Sequence, residues 1–132
     1  MNILLVDDKQ AVKDSLELIL SQLGYHVETA SNGLDAFEKA QSADFELYII
    51  DHLMPLMNGV QLSKNLKQTE SCAEVPILFM TTQGLDVVSQ LEEFALFSDV
   101  LCKPVNAEML IEKLVSMGFY SPQEKFSMHS EA

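Results

Sequence analysis

The sequence predicts an α/β domain in which a parallel sheet of five strands is flanked by five helices. Two observations carry that prediction. Short aliphatic runs alternate with helical patterns along the whole chain, which is how stacked βαβ units read in sequence. Charged or hydroxyl residues then stand directly after those runs, as in "ILLVDDKQ" from Ile3 to Gln10, where the strands of an open parallel sheet end. The 132 residues, 48% of them hydrophobic, suit one domain burying about two-thirds of its unfolded surface.

The strands are predicted at Asn2 to Val6, His26 to Ala30, Leu47 to Ile50, Pro76 to Met80 and Val100 to Cys102. Between the first two, Val12, Leu16, Ile19 and Leu23 share one helix face by their i, i+4, i+7, i+11 spacing, and Gly24 supplies the stop. A second helix is expected through Leu34, Phe37 and Ala40, and a third through Gly59, Leu62 and Leu66. A fourth is placed at Val88 to Phe94 and a fifth at Ala107 to Met117, the last capped by Asn106, whose side-chain oxygen can accept an orphaned backbone N–H. The domain is expected over 1–119. Residues 120–132 lose helical periodicity and contain Pro122, so they read as a flexible tail.

The formal charge of −12, from 20 acidic and 8 basic residues, speaks against direct nucleic-acid binding, which draws on clustered Lys and Arg. Metal ions and basic protein surfaces are the expected partners. Cys72 and Cys102 form no CxxC pair and no zinc-ligand set, so free thiols in a reducing cytosol are expected, with Cys102 a small core residue. No run of about 18 apolar residues is present, so no membrane role is expected and the protein is read as soluble and cytoplasmic.

Parallel strands joined by right-handed crossovers finish at one edge of the sheet, so residues distant in sequence converge there. That edge collects Asp7 and Asp8, Asp51, Thr81 and Lys103. At an effective dielectric of about 20, two unit charges about 4 Å apart repel by roughly 4 kcal/mol, so the pair Asp7–Asp8 invites a cation. Three carboxylates suit hard Mg²⁺ (or Mn²⁺), which takes a few protein oxygens and keeps water and phosphate oxygens as well. Lys103 offsets further charge and can contact a phosphoryl oxygen, Thr81 can donate to one, and Asp51 is then free to act as a nucleophile. Phosphoryl transfer depends mostly on positioning and charge neutralisation, so this set needs no added general base.

Four segments carry a family resemblance: "VDDK", "IIDHLMPLMNG", "FMTTQG" and "CKPV", in that order. The chain resembles the response-regulator receiver domain of two-component signalling, of the single-domain chemotaxis type, from Asn2 to about Met117. The resemblance implies a flavodoxin-like strand order 2-1-3-4-5. It also implies Asp51 as phosphoacceptor, Asp8 as a direct metal ligand, and Asp7 as a metal-site carboxylate acting partly through water. The Leu53 carbonyl completes the ligands, Thr81 swings toward the phosphoryl group, and Lys103 pairs with Asp51 and later with the phosphate. A cis bond between Lys103 and Pro104 is also common in the family. Met54, Pro55 and Gly59 are read as loop-shaping residues, and His52 as a side chain facing away from the chemistry.

Thr82, Gln83, Val100 and Pro104 are read as switch or modulating positions. Many receivers carry Tyr or Phe where this chain has Val100, and "LFSDV" replaces a small Gly-containing turn, so the readout is expected to travel by backbone and helix shifts. Leu53 and Gln83 resemble positions flanking the route of the hydrolytic water, which implies a long-lived phosphorylated form. The implied phosphodonor is a histidine kinase or phosphotransfer protein. A downstream protein target is expected at helix 4, strand 5 and helix 5, where the apolar residues from Leu85 to Phe97 exceed one helix face, and a phosphorylation-dependent homodimer is left open. Such a chain is a signalling phosphoacceptor with intrinsic phosphotransfer and autodephosphorylation activity, not an enzyme. Two other classes stay open: a Mg²⁺-dependent phosphohydrolase, although Leu53 stands where its acid/base Asp would be, and a constitutive interaction module with a vestigial pocket.

Overall fold

The computed structural model describes residues 1–121. Five parallel strands, β1 (Asn2–Val6), β2 (His26–Ala30), β3 (Leu47–Asp51), β4 (Ile77–Thr81) and β5 (Asp99–Cys102), form one sheet in the order β2-β1-β3-β4-β5. Helices α1 (Gln10–Gln22), α2 (Gly33–Ser42), α3 (Gly59–Lys67), α4 (Leu85–Val88) and α5 (Ala107–Ser116) connect them. Strand boundaries differ from the sequence expectation by one residue: β3 and β4 run on to Asp51 and Thr81 themselves, and β5 begins at Asp99.

Two apolar layers enclose the sheet, because successive strand residues face opposite sides. On one side Leu4, Tyr48, Ile50 and Phe79 pack with Ala36, Ala40, Leu62 and Leu66 of α2 and α3. On the other, Ile3, Leu5, Ile49 and Met80 pack with Leu16 and Leu20 of α1 and Leu110 and Leu114 of α5. Fully burying one such Leu or Ile contributes about 1.5–3 kcal/mol. Asn32, Asn58 and Asn106 cap α2, α3 and α5, each side-chain oxygen accepting the backbone N–H of the residue three further on.

Three expectations are corrected here. Helix 4 does not run to Phe94: it stops at Val88, and a separate 3₁₀ turn covers Glu92–Leu96. Gly84 offers no capping side chain, and the β-branched pair Val87–Val88 followed by Ser89 is a poor helix former. The helix expected through Leu34, Phe37 and Ala40 is α2, which turns Ala36 and Ala40 inward and leaves Leu34 exposed. Cys102 is exposed at the end of β5, while Cys72 is buried. Tyr120, assigned to the tail, packs with Phe119 against the α1/α5 layer, and Tyr25 donates a hydrogen bond from its hydroxyl to the Phe119 carbonyl. The remainder of the expected tail, 122–132, lies outside the described residues.

Candidate functional site

Asp7 follows the last residue of β1, Asp51 ends β3, Thr81 ends β4 and Lys103 follows β5. Because β1, β3, β4 and β5 lie side by side and parallel, these residues share one edge of the sheet. Carboxylate oxygens of Asp7, Asp8 and Asp51 all lie within 4.8 Å of one another, the single group of three or more potential metal-ligating side chains among the described residues. The donor set is oxygen only, without the thiolate or imidazole that softer metals prefer, so it fits a hard divalent cation.

The Lys103 ammonium bridges two of these carboxylates, with Nζ 2.7 Å from Asp7 Oδ2 and 2.9 Å from Asp51 Oδ1. The side chain of Lys103 is 10% exposed, that of Asp51 5% and that of Asp7 0%, so the three charges interact with little water between them. The Asp7–Lys103 pair is not legible in the sequence, where Lys103 is assigned to Asp51 alone. Asp7 also accepts the Lys9 N–H at 2.9 Å, and Asp8 is the exposed member of the cluster, 3.7 Å from Lys9 Nζ. Burial pushes the Asp51 carboxyl above the usual carboxylate range, helped by Asp7 and Asp8, and Lys103 only partly offsets this. Burial alone would lower Lys103, but its bonds to Asp7 and Asp51 prevail and hold it above the usual amine range.

The Lys103–Pro104 peptide is cis, and the Lys103 N–H donates to the Thr81 carbonyl at 2.7 Å, which seats the lysine at the end of β4. Thr82, Pro104 and Val105 with Val12 and Leu16 line an apolar groove of about 440 Å³ beside Lys103. Leu53 is 53% exposed on the loop after Asp51. Val100 is half-buried in register with Phe79, and Gln83 is exposed, its backbone N–H donating to Thr81 Oγ1 at 3.0 Å.

Gly59 is needed for close approach and not for an unusual φ. A Cβ there would lie 2.1 Å from the Asp51 carbonyl oxygen, and the Gly59 N–H donates to the His52 carbonyl at 2.7 Å, so the start of α3 sits directly on the end of β3. The loop's left-handed residue is Leu56, at φ 70°, where a Cβ costs about 1–2 kcal/mol.

His52 departs from its expected orientation. Its ring is buried on the same sheet face as Thr81, with Nδ1 2.9 Å from Thr81 Oγ1 and its centroid 5.0 Å from that of Phe79. Burial holds its pKa below the usual imidazole value. The signal is the strand register: Ile50 pairs with Phe79 and Asp51 with Met80, so the next step sets His52 beside Thr81.

Residues 3–115 match the family model described as the response regulator receiver domain. Chemotaxis protein CheY1 of Helicobacter pylori is 36% identical over 118 residues, which cover 86% of this chain and 94% of that protein. Chemotaxis protein CheY4 of Vibrio cholerae is a similar solved structure, with a TM-score of 0.81 and 34% identity over 87% of this chain and 96% of the other. TrrA of Thermotoga maritima, solved in complex with Mg(2+)-BeF, superimposes with a TM-score of 0.78 at 27% identity, covering 87% of this chain and 96% of that one. The chain spans about half the length of other curated relatives, 52% of response regulator RR06 of Streptococcus pneumoniae and 48% of the CpxR homolog of Haemophilus influenzae. Match, strand order and acidic edge agree on one assignment: this chain belongs to the response regulator receiver domain family.

Proposed function

We propose that the domain accepts a phosphoryl group on Asp51 from a phosphohistidine of a histidine kinase or phosphotransfer protein. The observation that carries this reading is the cluster of Asp7, Asp8 and Asp51 with Lys103 bridging two of its members. An Asp51 oxygen attacks phosphorus, the P–N bond breaks, and its electron pair returns to the imidazole, which is reprotonated from solvent. The new P–O bond makes an acyl phosphate. Asp7, Asp8, Asp51 and the Leu53 carbonyl would hold Mg²⁺ or Mn²⁺, which supplies charge neutralisation for the transferring phosphoryl group. Lys103 exchanges its Asp51 bond for a phosphoryl oxygen while keeping Asp7. Thr81 donates its hydroxyl to another. The groove lined by Val12, Leu16, Thr82, Pro104 and Val105 gives the donor protein an apolar footing beside the acidic cluster.

Incubation with Mg²⁺ and acetyl phosphate, followed by peptide mass mapping, tests the reading. One phosphoryl group on Asp51, absent in Asp51→Asn, is the expected outcome; no modification, or a label elsewhere, overturns it. Metal binding has its own readout. At ten times its dissociation constant, Mg²⁺ is expected to add roughly 1.4 kcal/mol to stability by RT ln(1 + [L]/Kd), and Asp8→Ala is expected to lose most of that gain in thermal melts. Equal midpoints with and without Mg²⁺ in the wild type would exclude the site.

Water attack on phosphorus, with the Asp51 carboxylate leaving, ends the signal. The branched apolar Leu53 beside the acceptor cannot orient that water, so Leu53→Asn is expected to speed loss of the label severalfold. An unchanged or slower decay would remove Leu53 from the explanation. For output, the exposed Leu85 and Val87 of α4 mark the face with β5 and α5 as the surface for a downstream protein or a second copy; Val88, Leu91, Phe94, Leu96 and Phe97 pack inward instead. Coupling of about 1–3 kcal/mol between phosphorylation and partner binding or self-association is expected, altered by Val100→Tyr without loss of the Asp51 label. Sedimentation with and without beryllofluoride checks self-association.

A further inference from the structure

Thr81 is fully buried, and its hydroxyl oxygen is already engaged twice: it accepts the Gln83 N–H at 3.0 Å and meets His52 Nδ1 at 2.9 Å. A threonine hydroxyl has one proton to donate. No buried side-chain nitrogen or oxygen among the described residues lacks a partner, so the His52 ring is accommodated with Nδ1 on Thr81 and Nε2 at solvent. In the tautomer that carries its hydrogen on the solvent-side Nε2, Nδ1 is an acceptor and the Thr81 hydroxyl is its donor.

We propose that His52 is a positioning residue that holds the Thr81 hydroxyl in the unphosphorylated domain, so that Thr81 reaches a phosphoryl oxygen only by releasing the ring. This rests on the reading of Asp51 as phosphoacceptor and adds the side chain that sets the resting position of the switch. The ring is itself held: it packs on Phe79, which is buried in the core and stacks in parallel on Phe97 at 3.9 Å between centroids. On the β5 side Phe79 is in register with Val100 and Thr81 with Cys102, and among the described residues neither of those side chains is hydrogen-bonded to the Thr81 hydroxyl. The Gln83 N–H donates to the Thr81 oxygen, so the acceptor for the hydroxyl proton comes from β3. The hydroxyl cannot serve Nδ1 and a phosphoryl oxygen at once, so the His52 bond opposes the phosphorylated state.

The experiment is a beryllofluoride titration with Mg²⁺, followed by NMR, of the wild type, His52→Phe and His52→Asn, each also carrying Thr81→Ala. His52→Phe keeps a ring against Phe79 and removes the acceptor, and its affinity is expected to rise about three- to tenfold, the range of one net hydrogen bond. His52→Asn sets an amide oxygen near the place of Nδ1 and is expected to stay close to wild type. With Thr81→Ala, His52→Phe is expected to change nothing. Imidazole ¹⁵N shifts of the metal-free wild type are expected to show Nε2 protonated and Nδ1 accepting. Equal or weaker binding by His52→Phe, a gain that survives Thr81→Ala, or a protonated Nδ1 overturns the proposal. Failure of the wild type to bind beryllofluoride at all refutes the phosphoacceptor reading first, so the two failures are distinct.

Discussion

Lys103→Met is expected to cost about 3–5 kcal/mol of stability in metal-free buffer at neutral pH, the range for removing one partner of a buried ion pair. The ammonium is the cation that neutralises Asp7 and Asp51 at 2.7 and 2.9 Å, and neither carboxylate has an appreciable share of solvent. Methionine fills similar volume but leaves two like charges facing each other. The deficit should shrink as pH falls through the carboxylate range, because protonating either acid removes the repulsion. In the wild type, Lys103 sits above the usual amine value, so its contribution is complete below that value and is lost as pH rises through the raised one. Asp51 has the same sign in a lower pH window: its value is raised by burial, so its contribution is present at acid pH and declines as pH rises through the raised carboxylate value. Mg²⁺ should restore part of what Lys103→Met loses. Denaturant unfolding at several pH values, with and without Mg²⁺, checks all three; a pH-independent deficit would assign the loss to packing.

Gly59→Ala is expected to destabilise the domain by about 3 kcal/mol, the upper range for overpacking, and to depress phosphorylation at Asp51 as well. The added methyl group would sit 2.1 Å from the Asp51 carbonyl oxygen, 2.9 Å from its carbon and 3.1 Å from the His52 Cα. All three are backbone atoms of the strand end that presents the acceptor, so no side-chain rotation relieves the clash. Either α3 lifts, exposing Leu62 and Leu66, or the end of β3 shifts and takes Asp51 with it. Urea unfolding and the phosphorylation assay report on the two routes, and a variant with wild-type midpoint and wild-type labelling would show that the interface yields cheaply.

Much of the architecture is written locally. The short aliphatic runs between helical patterns place β1 and β2 to the residue and the other strands to within one, since each run is bounded by the polar residue that ends it. Parallel strands then bring Asp7, Asp8, Asp51, Thr81 and Lys103 to one edge by connectivity alone. The length of α4 was not readable, because apolar residues from Val88 to Phe97 suit one helix as well as a short helix followed by a 3₁₀ turn. The exposure of Leu34 and Cys102 was also hidden: an apolar residue near a core pattern reads as core until its neighbours are placed.

The sequence by itself determined the order of the strands' polar ends and therefore which charges meet, because burial patterns are carried by neighbouring residues and chain direction. Only the tertiary structure decided how those groups pair. Lys103 bridging Asp7 as well as Asp51, Gly59 seated on the Asp51 carbonyl, and His52 Nδ1 against Thr81 each depend on register and depth between segments 29 or more residues apart, or on the close packing of a helix start against a strand end. Such contacts are set to within fractions of an ångström by the packing of both sheet faces at once, and no local periodicity encodes that sum.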